Sequence, residues 1–232
     1  MALLTKLPEL TLEQFDAHWH RPHGDPLTLA IPLIRHAVQN ARLAAAEDLT
    51  DAPFHGIAEI WLDNMAAVRG LPSDSAYLAA VADQKFFMDA GKLQFLCTLE
   101  TSVDNAAVPA GPPAVKLIRL FRGEVAPGPA GLEAGPPDPP DVADRERGRA
   151  VGAVGHTWSR CIPIGDGGED EDGNGDGETP AFDAIRELWF PDLGALRAAP
   201  ARDPVAWDAL CMPTGADPGS SNTYVATERR LR

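Results

Sequence analysis

Two stretches of the chain alternate apolar and polar positions in the same way. Residues 54–61 read Phe-His-Gly-Ile-Ala-Glu-Ile-Trp, and residues 182–189 read Phe-Asp-Ala-Ile-Arg-Glu-Leu-Trp. Phe54 and Phe182, Ile57 and Ile185, Glu59 and Glu187, and Trp61 and Trp189 coincide at a spacing of 128. The same register, without a gap, aligns Arg69 with Arg197, Pro72 with Pro200 and Glu100 with Glu228. Seven matches in one register within 47 positions mark an internal duplication, and a repeat constrains architecture before any motif does.

Each copy reads as the same run of elements. In copy one, residues 1–6 suit a short strand, and Thr11-Leu-Glu-Gln14 has the form of a capping box at a helix start. Pro22 and Gly24 predict that this helix stops near Arg21. A strand is expected within 31–43. Residues 55–62 alternate, with Ile57, Glu59 and Trp61 on one face. Asp63 or Asn64 then caps a helix reaching about Phe87, with a break at Gly70-Leu-Pro72-Ser, and 93–103 forms the last strand. Copy two repeats the order with strands at 115–122, 156–164, 183–190 and 222–231 and helices at 141–152 and 192–210. The order is βαββαβ, the split βαβ unit. The predicted division is a first repeat at 1–103, a linker at 104–114 and a degenerate second repeat at 115–232. The second repeat carries a Pro/Gly-rich loop (126–140) and an acidic loop (165–180), both expected to be mobile. A four-stranded sheet with helices on one side leaves its other face bare, and two such faces can cover each other. The expected fold class is therefore α+β, with two ferredoxin-like repeats forming an intramolecular dimeric α+β barrel.

Composition narrows the partners. The 232 residues are 44% hydrophobic, enough for a sizeable core, and carry a formal net charge of −14. Such charge opposes nucleic-acid backbones and anionic membranes, and no apolar run approaches the roughly 20 residues of a membrane span. The N-terminus has no basic, then apolar, signal pattern. The three cysteines, Cys97, Cys161 and Cys211, form no CxxC pair and suit small buried hydrophobes in a reducing compartment. The expectation is a cytoplasmic protein, monomer or homodimer, without nucleic-acid or membrane partners.

Five of the six histidines, His18, His20, His23, His36 and His55, fall in copy one, and His156 stands alone in copy two. That asymmetry suggests that copy one kept a site while copy two kept the scaffold. His18 and His20 are read as facing solvent on the first helix. His23 follows the helix stop, and His36 shares a strand face with Ile34 and Val38. His55 opens the next strand, where copy two has Asp183. An imidazole titrates near neutrality and suits proton transfer, so His23, His36 and His55 are the catalytic candidates. Phe15, Trp19, Ile34, Trp61 and Phe86 are the candidate pocket residues. A satisfied, partly buried histidine is the alternative for each.

Thr11-Leu-Glu-Gln-Phe15, His18-Trp19, His23-Gly-Asp-Pro-Leu27, Arg35-His36-Ala-Val-Gln-Asn40, Phe54-His-Gly-Ile-Ala-Glu-Ile-Trp-Leu-Asp63 and Asp83-Gln-Lys-Phe-Phe-Met-Asp89 together resemble the EthD family. The resemblance spans residues 1–103, and copy two keeps only its later part, 182–231. It implies the dimeric α+β barrel shared with cofactor-free monooxygenases, muconolactone-type isomerases and some haem enzymes. It also implies a link to oxidative catabolism, and a proton-transfer role for His23. His36 stands where the pattern usually has Tyr, and His55 where it usually has Asp.

Two metal patterns were weighed. His18-Trp-His20-Arg-Pro-His23 has zinc-motif spacing, but Pro22 replaces the motif's Asp and helical geometry turns the first two rings apart. Asp172-Gly-Asn-Gly-Asp176-Gly177 opens like a calcium loop, but no helix precedes it. No metal or cofactor is expected, with haem or calcium as the alternatives. The functional expectation is a small-molecule enzyme, or an accessory protein to one, acting on an apolar organic compound by histidine acid/base chemistry, either isomerisation or cofactor-free oxygenation. A non-catalytic ligand carrier and a haem oxidoreductase are the alternatives.

Overall fold

The structure is a computed structural model that describes residues 1–104, 115–123, 142–164 and 179–231. The chain divides into two compact units: Met1–Arg42, Pro53–Phe95 and Thr227–Arg232 form the first, and Leu43–Ala52 with Leu96–Ala226 forms the second. The linker 104–114, the 126–140 loop and all but the last two residues of the 165–180 loop lie outside the described residues, apart from Asp104.

In the first unit, β1 (Ala2–Leu4) is followed by α1 (Leu12–His18). The capping box closes as its sequence requires, with Gln14 N donating to Thr11 Oγ1 at 3.1 Å and Thr11 N donating to Gln14 Oε1 at 2.8 Å. α1 is shorter than expected. Arg21 precedes a proline and is held extended (φ −142°, ψ 124°), as sterics at that position favour; irregular helical turns then continue through Trp19–Leu27. β2 (His36–Arg42) and β3 (Gly56–Trp61) follow. Asn64 caps α2 (Met65–Gly70), and Asp74 caps α3 (Ser75–Gln84), so the helix breaks where Gly70 and Pro72 stand. β4 (Gln94–Phe95) completes the first unit's run. The strands are antiparallel, with β3 between β1 and β2, and β4 on the far side of β1.

Register fixes two faces. Ala2, Leu4, Ala41 and Ala58 face the helices and pack with Phe15, Trp19, Phe87 and Met88. Beside them Ala37 and Ile60 pack with Ile31, Ile34, Leu71 and Ala80. The opposite face carries Ile57, Glu59 and Trp61 opposite Asn40, Val38 and His36. Glu59 and Asn40 are buried there and hydrogen-bond through Asn40 Nδ2.

The second unit contains β5 (Cys97–Asp104), β6 (Val115–Phe121), α4 (Val142–Ala150), β7 (Gly155–Ile162), β8 (Ala184–Phe190), α5 (Leu193–Arg202) and α6 (Pro204–Cys211). β9 (Asn222–Arg230) contributes Asn222–Ala226 to this unit and Thr227–Arg230 to the first. The single helix expected at 192–210 is two, because Asp203 before Pro204 leaves the helical region and caps α6 instead. β8 pairs antiparallel with β6 and β7. The 128-residue spacing maps β3 onto β8, Asn64 onto Asp192 as helix cap, and buried Glu59 onto buried Glu187. Glu187 meets buried Lys116 at 2.7 Å, with that ammonium 4.7 Å from the Trp189 ring centre.

The strand expected at 93–103 as the last of copy one behaves differently. Only Gln94–Phe95 pairs with β1, whereas Cys97–Asp104 pairs along β7 in the second unit. The physical reason is ladder length: β1 offers three residues, and β7 offers eight. Repeat boundaries in sequence are therefore not unit boundaries in space.

Gly56 faces the Trp19 ring so closely that a Cβ there would lie 2.7 Å from Trp19 Cζ3. The matching position in the second unit, Ala184, carries a Cβ and meets no such ring from α4. Gly56→Ala should therefore destabilise the protein by about 1–3 kcal/mol through overpacking, measured by urea denaturation. A change under about 0.3 kcal/mol would show that Trp19 can move aside freely.

Candidate functional site

A carboxylate in the last turn of a helix opposes the helix dipole and needs a reason to be there. Asp83, near the end of α3, has two. His18 Nε2 lies 3.2 and 3.1 Å from its two oxygens, and His23 Nδ1 lies 3.0 Å from Oδ2. As a carboxylate Asp83 only accepts, so each facing ring nitrogen carries a hydrogen. His18 closes the last turn of α1, and His23 sits in the turns that follow it. The Phe87 ring backs both imidazoles, stacked on His18 at 5.2 Å and tilted against His23 at 4.7 Å. Phe15 packs on Phe87 and on Trp19.

The site is shielded but not sealed. The side chains of His23, Asp83 and His18 are 11%, 14% and 26% exposed. Burial pushes the His23 imidazole below its ordinary value; the hydrogen bond and charge of Asp83 pull it back, and the neighbouring His18 adds to the lowering. His23 is thus a neutral imidazole at pH 7. With Nδ1–H engaged, its Nε2 is an acceptor with no protein partner among the described residues.

The sequence candidates separate. His55 lies just before β3, with its backbone N–H bonded to Leu4 O and its ring edge-on to Phe15 at 6.4 Å. It therefore borders the same aromatic cluster as His23. Phe15 and Trp19 are fully buried in that cluster, and Ile34 belongs to the neighbouring one. Two readings need correction. His36 shares its strand face with Val38, as expected, but that face is turned away from the helices, and His36 is exposed there beside Trp61. His36 and Trp61 are consequently not brought together with His23. Phe86 is 57% exposed, resting 6.2 Å from His18 and under Lys85, while its neighbour Phe87 takes the buried place. His18, expected to face solvent, is bound to Asp83 instead. Of the zinc-like spacing His18 and His23 meet at Asp83, but among the described residues no group of three His, Cys, Asp or Glu could hold a metal ion. The calcium-like loop lies outside the described residues.

Sequence reasoning missed Asp83, His18 and Phe87 as site residues. The signal was present in Asp83's unfavourable place at a helix C-terminus.

In the second unit the same space is filled from the sheet. Where β2 and β3 have Ala37, Gln39 and Ala58, register places His156, Trp158 and Arg186. Arg186 donates to Leu210 O at 2.8 Å and to Asp144 at 3.0 Å, with its guanidinium 4.8 Å from the Trp158 ring centre. His156 is 2% exposed, and neither ring nitrogen closes a hydrogen bond of normal geometry, although the Asp144 backbone approaches. Burial, then the Arg186 charge, lower its pKa to about 3.

Fold and site together define an α+β protein of the dimeric α+β barrel class with a histidine–carboxylate site on the helix side of its first sheet. Residues 7–91 match the family model of the EthD domain, so the chain carries an EthD domain in its first half. A solved structure described as a crystal structure study of an anthrone oxidase-like protein aligns with 99% of this chain and 91% of that one, at TM-score 0.54 and 12% identity. At that identity the likeness speaks for the fold. No curated protein matches the sequence. No helix is long and apolar enough to cross a membrane among the described residues.

His156 gives this comparison of the two units a measurable consequence. Its folded pKa of about 3 lies below the ordinary 6.5, so the unfolded chain takes up the proton first as pH falls. Stability is full above about pH 6.5 and drains by about 3–5 kcal/mol as pH falls towards 3. His156→Leu should cost less than about 1 kcal/mol at pH 7, since no hydrogen bond is lost, and should flatten the decline in acid. Thermal melts from pH 7 to 4 read both; equal acid slopes in the two proteins would exclude the buried-imidazole account.

Proposed function

We propose that this chain is an enzyme acting on a small, largely apolar organic compound, and that His23, oriented by Asp83, takes up and returns the substrate's proton. The observation that carries this reading is the 3.0 Å contact between His23 Nδ1 and Asp83. It fixes the tautomer, leaving Nε2 as the base, while burial keeps the ring unprotonated at neutral pH. Phe87, Phe15 and Trp19 back that base with apolar surface. The EthD match supports an enzyme-like, small-molecule role for the domain. Isomerisation and cofactor-free oxygenation both begin by removing a proton from a carbon or oxygen acid, and this site has the parts for that first step. The subsequent fate of the anion, reprotonation elsewhere or reaction with dioxygen, lies with the substrate.

The description of the neighbour suggests where to begin: an anthrone, whose benzylic carbon acid is flanked by aromatic rings. Quinols and unsaturated lactones follow. The assay is exchange of solvent deuterium into the substrate without oxygen, with oxygen uptake measured separately. His23→Gln and Asp83→Asn should each lower the exchange rate, His23→Gln by about 10²–10⁴-fold, the usual span for a general base. His36→Ala should leave it within about threefold. Binding of these compounds without exchange by the wild-type protein would favour a carrier. A His36→Ala loss as large as that of His23→Gln would put the site on the other face of the sheet.

A further inference from the structure

Asp83 is shared, and His23 is only one of its two partners. His18 holds both carboxylate oxygens through one nitrogen, at 3.2 and 3.1 Å, whereas His23 holds one oxygen at 3.0 Å. His18 itself is clamped: Phe87 stacks on it at 5.2 Å with planes 20° apart, and Phe86 lies 6.2 Å away on its more open flank. A histidine serving only as helix-end ballast would not need two rings and a carboxylate to fix it. We propose that His18 is a positioning residue for His23, acting through the Asp83 carboxylate that both imidazoles share. The proposal rests on the reading of His23 as the proton acceptor and adds the group that keeps it available.

First, Asp83 divides its acceptor oxygens: His18 Nε2 contacts both, and His23 Nδ1 shares Oδ2 with it, so His23 has neither oxygen to itself. Secondly, the two imidazoles face one carboxylate, so that at His23 the neighbouring His18 works against the upward pull of Asp83. The charged groups that face His23 are Asp83 from α3 and His18 from α1. Arg21 and Asp25 in its own segment pair with each other at 3.2 Å, Asp16 of α1 pairs with Arg229, and Lys85 lies over Phe86. Sharing Asp83 with His18 thus limits how far the carboxylate can raise His23 and keeps that ring available as a base.

The test reads His23 directly, by NMR titration of its ring in the substrate-free protein. In His18→Ala, His23 should titrate about half to one pH unit higher than in the wild type. His18→Gln, which keeps an N–H donor for Asp83 but cannot be charged, should move it the same way and secures the result if the alanine variant folds poorly. In an Asp83→Asn background, His18→Ala should move His23 by less than half as much, because only direct repulsion between the rings remains once their shared partner is gone. An unmoved His23 in both His18 variants overturns the proposal. A full-sized shift that persists without the carboxylate also overturns it, since His18 would then act without Asp83. The functional reading is tested apart: if His23 shifts as expected but His23→Gln exchanges deuterium at the wild-type rate, that reading fails and the coupling stands.

Discussion

The close approach of Trp19 to Gly56 is the contact on which the first unit's site depends. A tryptophan on the helix side of a sheet needs about the width of a ring, and the sheet supplies it only by carrying almost nothing there: Gly56, Ala58 and Ala41. With that space open, Trp19 and Phe15 lie down against the strands, and Phe87 packs on Phe15. Phe87 then becomes the floor on which His18 and His23 meet Asp83. Interiors are packed to crystal-like density, so the order of dependence runs from the missing side chains on β2 and β3 to the rings, and from the rings to the imidazoles.

The second repeat shows the same scaffold with that space taken back. Its strands keep the register, the buried glutamate and the helix cap of the first. What changed is side-chain size at three helix-facing positions, now His156, Trp158 and Arg186. Arg186 ties β8 to both α4 and α6, so the polar contacts of this face run between structural elements. Both terminal nitrogens of the Arg186 guanidinium donate to protein groups, which suits scaffolding. His156, buried with no hydrogen bond, is a base that cannot be reached. On the face away from the helices, duplication kept the Ile, Glu and Trp of β3 in β8, and it rewrote the face towards them.

Much of this was legible in the chain and some was not, for identifiable reasons. β3 and β8 announced themselves because alternation and the 128-residue spacing are local properties, and the capping box at Thr11 and Gln14 is local as well. The partner of 97–104 was not legible, because a strand's own pattern does not say which neighbour offers the longer ladder. His23 stood out by its place after a helix stop. Asp83 did not, because the pairing spans 60 residues of sequence. His36 shares its face with Val38 but not with Ile34, which lies before β2 and packs on the helix side, and parity alone cannot say which face meets the helices. Phe86 and Phe87 differ by one position just beyond the end of α3, where helical phase no longer applies.

The energetics of the shared carboxylate argue that it is kept for what it does. Taking a carboxylate and two imidazoles largely out of water costs more than apolar side chains of similar size would, and their mutual attraction seldom returns a net gain. The second unit shows that this fold does not require such a group at this place: there the helix-side face closes with Arg186, Asp144 and backbone carbonyls. Most polar groups kept for structure alone have their buried donors and acceptors bound. His23 departs from that pattern in one atom. Its Nδ1 is held, its ring is backed by Phe87, and its Nε2 is left with no protein partner among the described residues. An imidazole fixed at one nitrogen and open at the other is the arrangement that the proposed proton transfer requires.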